Sequence, residues 1–467
     1  MRRLSIVMAL VLLATAGSNG NRTVVPATLS VHPIDREDFT NPNQFSFLQS
    51  MFKDVEVVSL AESIHMTHEF PLVRLGIVRY LNEKMDFHAL VMEGSAPDVW
   101  VAQDDLLNSG RTNQDCEHAL GGFFGLWNTS EMQKLLSYEA DTWHSPYSLY
   151  VAGYDIQPGN GHGSQGLNVF WQLANRLYTY APPPEGFNGD RWTRDIAPLV
   201  GGYRPGDHDR VEAAIQTLEQ WTLRAEPAVE KRYPNVPHAK TLELIPANLR
   251  IVLQFHDELA HPVPLGYQGL RDVKAAAFVD LLKKNLGNGK LMLWAHVSHL
   301  HMDNERSPAS IGGILHRSLG THLYTIVPYA ESGGAVMIFP GNTNEDIGYG
   351  RVHGKTGDLE QFLGRLSKQD YFLDLRSQAA GPASDPVFWT REPIWVESGE
   401  GHAVIAKEND GLIWIKTVHA PDFTPFVFLA SLIHYKTAVS ALASSLVVVV
   451  VVYVLIRRRK QMRTRSL

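Results

Sequence analysis

The chain has 467 residues, is 44% hydrophobic and 19% charged, and carries a formal charge of −7. That composition excludes a disordered chain, and the acidic balance excludes a nucleic-acid surface. Cys116 is the only cysteine, which excludes an intramolecular disulfide and leaves the core to hold the fold unaided.

The chain opens with Arg2 and Arg3, an apolar run over residues 4–14, and the small-residue stretch Ala14-Thr15-Ala16. This is the layout of a secretory signal, and the apolar run is too short to span a bilayer. Residues 1–20 are therefore expected to be a cleaved leader. Asn21-Arg22-Thr23 and Asn128-Thr129-Ser130 fit the glycosylation pattern.

Over residues 21–425, short apolar runs alternate with helical patterns. Residues 55–60 run into Ala61-Glu62, 87–92 into Glu93-Gly94, 149–154 into Asp155, and 291–295 into His296; residues 322–329 add another β-like run. Continuously apolar strands separated by helices predict an α/β fold with a mainly parallel central sheet, buried on both faces. Residues 70–84 read as an amphipathic crossover helix with Thr67 as N-cap. Residues 167–260 read as a helical insertion, preceded by a Gly-rich hinge over 159–166 that lacks the lysine of a phosphate loop. Asp115 and Glu117 flank Cys116 and would raise its thiol pKa, against a nucleophilic role.

Residues 437–456 contain no charge and include six consecutive valines, 447–452. Twenty residues match the hydrocarbon thickness of a bilayer. Arg457, Arg458, Arg459, Lys460, Arg463 and Arg465 follow, and such a block stays cytoplasmic. One C-terminal transmembrane helix is expected, with residues 457–467 as a cytoplasmic tail and the folded body outside. The charge of −7 includes this basic tail, so the body is more acidic than the total suggests.

In open α/β sheets, ligands bind at the carboxyl ends of the strands. Glu62, Glu93, Asp155 and His296 end four of the strand candidates, and buried carboxylates converging on one edge shift each other's pKa. Glu62 and His65 lie three apart across a strand-to-helix turn, close enough for the carboxylate to orient an imidazole as a base on water. His68-Glu69 and the run His296, His299, His301 follow the same two strands. Residues two or three apart on a regular strand cannot all face one way, so His296 and His299 would point to opposite sides.

Ala61-Glu62-Ser63-Ile64-His65, with Glu69-Phe70 and Arg74, resembles the Gly-Glu-Ser-x-His-Gly-x-x-Glu-Phe segment of the erythromycin esterase family. Met92-Glu93-Gly94, Tyr154-Asp155, Arg271-Asp272, the segment from Trp294 to His299 and that from Asp410 to Ile415 resemble its later motifs. The likeness spans about residues 50–418. It implies a carboxylic-ester hydrolase, typically opening macrolide lactones, without a cofactor and without an acyl-enzyme; no Gly-x-Ser-x-Gly elbow occurs in the chain. It implies His65 as the base, Glu62 beside it and His296 at the reacting centre. Glu69, Arg74, Glu93, Asp155 and His299 would line the cleft, with His296 or Arg74 stabilising the oxyanion. A small-molecule ester or macrolide-like compound is the implied partner. Ala61 and Met66 replace the family's glycines, Val297 an asparagine, and Ala275 and Phe278 a methionine and an asparagine. These departures leave room for a different catalytic turn, or for a surface binding protein without turnover. A further alternative is a divalent metal held by His65, His68, Glu62, Glu93 and the histidines 296, 299 and 301.

Overall fold

The structure is a computed structural model that describes residues 31–422 except 162, 164–165, 287–288, 303–307, 340–345, 354–358, 379–393, 397–400 and 404. The expected leader, the first glycosylation triplet, the segment 437–456 and the basic tail lie outside the described residues. Among the described residues, no helix is long and apolar enough to cross a membrane.

Among the described residues the main sheet has nine strands. They are β1 (Val31–Pro33), β2 (Val57–Glu62), β3 (Ala89–Ser95), β4 (Tyr150–Asp155), β5 (Leu291–His296), β6 (Leu323–Phe339), β7 (Asp346–His353), β8 (Tyr371–Asp374) and β11 (Gly411–Val418). Two more, β9 (Ile394–Val396) and β10 (Gly401–Ala403), form a separate ribbon. The order across the sheet is β1-β8-β11-β6-β2-β5-β3-β4, with β7 pairing β6 off this path. All pairings from β11 to β4 are parallel, whereas β8, β1 and β7 join antiparallel. Every residue of β2, β3 and β4 is buried, as is β5 up to Ala295, because helices cover both faces; that is why these strands read as unbroken apolar runs.

The crossover helix Glu69–Met85 is buried nearly all round, including Arg74 and Asn82. Its expected amphipathic stripe is therefore wider than its apolar residues suggested. Thr67 accepts the Phe70 N–H at 3.3 Å, although the helix begins only at Glu69. Helices Asn168–Tyr180, Gly189–Ile196, His208–Arg232 and His238–Leu259 build a second core around Trp192 and Trp221. Trp100 docks this unit on helix Ala96–Asn108, stacking on His238 at 4.6 Å and donating its Nε1 proton to the His238 carbonyl.

The Gly-rich stretch is not a free hinge. Gly159 donates its N–H to Asp98 at 2.8 Å and accepts from Gly166 at 2.9 Å, while Gly163 donates to the Gly121 carbonyl. Gly159 has φ +80°, and a Cβ there would meet the Gly166 oxygen at 2.5 Å, so this close approach needs glycine. The second glycosylation triplet is also corrected: Asn128 and Thr129 are buried. Cys116 is buried, and its thiol is pushed up to about 11 by burial and by the charges of Glu139, Asp115 and Asp141, so it is inert.

Glu139 is fully buried, with its pKa pushed up to about 8 by burial against the lowering bonds from the Val151 N–H and Gln103. An unfolded carboxyl ionises near 4.5, so the folded chain binds more protons between that pH and about 8. Stability therefore falls as pH rises through that window. Glu139→Gln keeps the acceptor for Val151 and can pair with Gln103, whose Oε1 has no hydrogen-bond partner. We expect this variant to be more stable than wild type at pH 8 by a few kcal/mol, because each tenfold difference in proton affinity is worth about 1.4 kcal/mol. At pH 4.5 the two should be nearly equal. Urea unfolding at the two pH values checks this; parallel pH profiles would sink it.

Candidate active site

The parallel register of β2 and β5 sets Glu62 directly opposite His296. β3 lies beyond β5 with Met92 opposite Trp294, and its register shifts between Met92 and Ser95, where Glu93 stands. β4 follows with Asp155 opposite Ser95. Four strand ends thus deliver Glu62, His296, Glu93 and Asp155 to one edge, at the carboxyl ends where such sheets hold ligands.

Glu62 is 1% exposed and uses both oxygens. Oε1 meets His65 Nδ1 at 2.6 Å, and Oε2 accepts from Arg74 Nη2 at 2.6 Å. Burial would raise the Glu62 carboxyl, but Arg74 and then His65 outweigh it and hold it below its ordinary range. Burial would lower His65, but its bond to Glu62 and the charges of Glu62 and Glu93 raise it. A carboxylate only accepts, so Nδ1 carries the proton and Nε2 the lone pair. The His65 side chain keeps 22% exposure. The His296 ring stacks on it with centroids 4.3 Å apart. His296 Nδ1 accepts the Ser298 N–H at 3.3 Å, which leaves its proton on Nε2.

A second ionic cluster adjoins the first. Arg271 donates to both oxygens of Asp155 at 3.0 Å and to Glu93 at 3.0 Å. His299 Nδ1 meets Asp272 at 2.7 Å, and its Nε2 lies 3.6 Å from Glu93. Burial would raise Glu93, yet His299, Arg271, His65 and His296 pull it down to about 2. Burial raises Asp272, while Glu93 and Asp272 raise His299 against its own burial. Four carboxylates face two guanidiniums here, and the surplus negative charge explains why two imidazoles shift upward.

The family model for erythromycin esterase matches residues 82–418. The chain belongs to the erythromycin esterase family. Among relatives, a candidate hydrolase, YbfO, of Bacillus subtilis (strain 168) is 20% identical over 413 residues, covering 83% of this chain and 89% of that protein. Erythromycin esterase type I of Escherichia coli is 24% identical over 306 residues, covering 62% and 71%. Among solved structures, a Bacillus cereus protein aligns at TM-score 0.62 and 19% identity, covering 84% and 96% of the two chains. A histidine-to-asparagine mutant of the erythromycin esterase EreC, in its open conformation, aligns at 0.53 and 16%, covering 85% and 98%. These structural likenesses show the mixed, mostly parallel α/β fold.

The matched stretch begins after the segment 61–74, so the place of that segment in this erythromycin esterase family member rests on the β2–β5 register. Of the expected site residues, Glu62, His65, Glu93, Asp155, His296 and His299 come together. Arg74 is 1% exposed, its guanidinium 3.8 Å from the Trp294 ring and bonded to Glu62 and the Leu60 and Phe70 carbonyls. It holds Glu62 from behind and does not line the cleft, which rules out the oxyanion role expected of it. Glu69 belongs elsewhere: it accepts from Arg36 and pairs with His419 at 2.5 Å. The expectation that His296 and His299 face apart is corrected, because β5 ends at His296 and a helical turn, Val297–Leu300, brings His299 round to Glu93.

Two members of the ligand set for the metal alternative belong elsewhere. His68 pairs with Glu131 and His301 with Glu408, each apart from His65. The turn is also free of the distortion that the missing glycines suggested. Ala61 lies within β2, and Met66 accepts from Val336 in a β-bridge. Among described non-glycine residues only Asp86 and Arg111 have positive φ, so neither Ala61 nor Met66 needs glycine.

Proposed function

We propose that this hydrolase of the erythromycin esterase family cleaves a carboxylic ester or lactone by attack of water activated at His65. The observation that carries this reading is the chain Arg74–Glu62–His65, in which a buried, doubly held carboxylate fixes one imidazole nitrogen and leaves the other as a base. His65 Nε2 takes a proton from water, and the hydroxide adds to the carbonyl carbon. We assign to His296, whose ring stacks on His65, the stabilisation of the developing oxyanion. Collapse breaks the acyl C–O bond, and the proton held on His65 passes to the departing alkoxide. Arg271, Glu93 and Asp155 hold the cleft wall.

The full chain, purified in detergent, should convert simple esters or a macrolide lactone to acid and alcohol. Hydroxylamine should not divert the acid to a hydroxamate while the rate of alcohol release stays unchanged; such partitioning would establish an acyl-enzyme and end this mechanism. We also infer from residues 1–20 and 437–456 that the body works outside the cytoplasm, so protease added to intact cells should remove it.

The pH profile tests the base. His65 works as the neutral imidazole, so kcat/KM should rise with pH, with a midpoint above the ordinary 6.5. Glu62→Gln removes the charge and the carboxylate bond that do most to raise His65, leaving burial, which lowers it, opposed by Glu93. Its midpoint should move down in pH while the plateau falls; an unmoved midpoint assigns the limb to another group.

A further inference from the structure

His68 lies three residues beyond His65 but belongs to a different cluster. Its Nδ1 meets Glu131 Oε1 at 2.5 Å, across from the first turn of helix Ser130–Thr142. Asp422 joins them from the segment that follows β11, donating its backbone N–H to the same Glu131 oxygen at 3.2 Å. We propose that His68, Glu131 and Asp422 form a divalent-cation site, suited to zinc and separate from the hydrolytic cleft.

Two independent observations support it. One is the ligand set: an imidazole nitrogen and two carboxylates, from chain segments far apart in sequence, with the ligand atoms all within 4.8 Å of one another. A tetrahedral ion with bonds of about 2.0–2.1 Å to nitrogen and oxygen needs neighbouring ligands about 3.3 Å apart, which lies inside that envelope. The other is Glu131 itself. Its side chain is fully buried, yet Oε2 has no hydrogen-bond partner. A buried carboxylate oxygen without a donor is costly, and a bare His68–Glu131 pair leaves it so. A cation replaces the proton shared between Nδ1 and Oε1 and neutralises the carboxylate.

The three segments are already braced without an ion. His68 donates its N–H to the His419 carbonyl at 2.8 Å, and Ser130 donates to the Asp422 carbonyl at 2.7 Å. Binding therefore requires only side-chain adjustment, and exposed Asp422 leaves a coordination position to water. The ion would clamp the loop that carries His65 to helix Ser130–Thr142 and to the end of β11, giving it a structural role.

The test uses the full chain in detergent, stripped with a chelator, incubated with zinc chloride and dialysed before metal analysis. Wild type should retain about one zinc per chain, and its Tm should climb with zinc concentration. Asp422→Asn alters an exposed side chain, so folding is not at stake. It and His68→Ala should weaken retention at least about tenfold and abolish the Tm response, the loss expected when a ligand is removed. His299→Ala should retain zinc as wild type does. No retained zinc in wild type, wild-type retention in Asp422→Asn, or loss in His299→Ala in place of the other two would each overturn the proposal.

Discussion

His65→Ala is expected to lower kcat for ester hydrolysis by about 10²–10⁴-fold, the usual contribution of a positioned general base, with Tm almost unchanged. The side chain is partly exposed, and Glu62 keeps its short bond to Arg74 when the imidazole is gone. His65→Gln sharpens the test: its amide can still donate to Glu62 but cannot take a proton from water. Both variants should be equally inactive if proton transfer is the role, and either one hydrolysing at the wild-type rate would remove His65 as the base. Thermal unfolding alongside the kinetics separates lost chemistry from lost structure.

Arg74→Met is expected to be the most damaging single change in the site, costing about 3–5 kcal/mol, the range for removing one partner of a buried ion pair. Methionine preserves much of the packing against Trp294, so the loss reports chiefly the unpaired Glu62 carboxylate. Its sign with pH is defined. Without Arg74, the Glu62 and His65 pKa values both move up, so the deficit should shrink as pH falls and the pair takes up protons. The acidic limb of the rate should move to higher pH, opposite to its movement in Glu62→Gln. Denaturant titrations at several pH values, with rate profiles, check both; a stability loss independent of pH would point to packing alone.

The strands were legible because continuous apolar runs end in single charged residues, and those same residues proved to share an edge. What the sequence concealed was which neighbours face which way. Glu69 stands four residues after His65, a helical spacing, but the intervening residues up to His68 precede the helix, so Glu69 turns toward Arg36 and His419. Arg74 was expected in the cleft through the family resemblance alone; only the burial of its whole helix shows it to be a support. Asp272 partners His299 from a helix 27 positions earlier, a distance over which periodicity carries no information. The Arg271-Asp272 motif was its only signal. The stop of β5 at His296, which reverses His299, follows from the Ser298 N–H capping on the His296 ring, a contact no spacing rule predicts.

The place of β2 between β5 and β6 also bears on how the protein is made. β2 leaves the ribosome more than two hundred residues before either neighbour exists, whereas β3 and β4 can pair early. An apolar strand with both edges open for that long is an aggregation hazard. The Glu62–His65 pair likewise cannot meet His296 until this long-range closure is complete. Fragments ending before residue 291 should therefore accumulate as insoluble material, and hydrolytic competence should appear as one of the last events of folding.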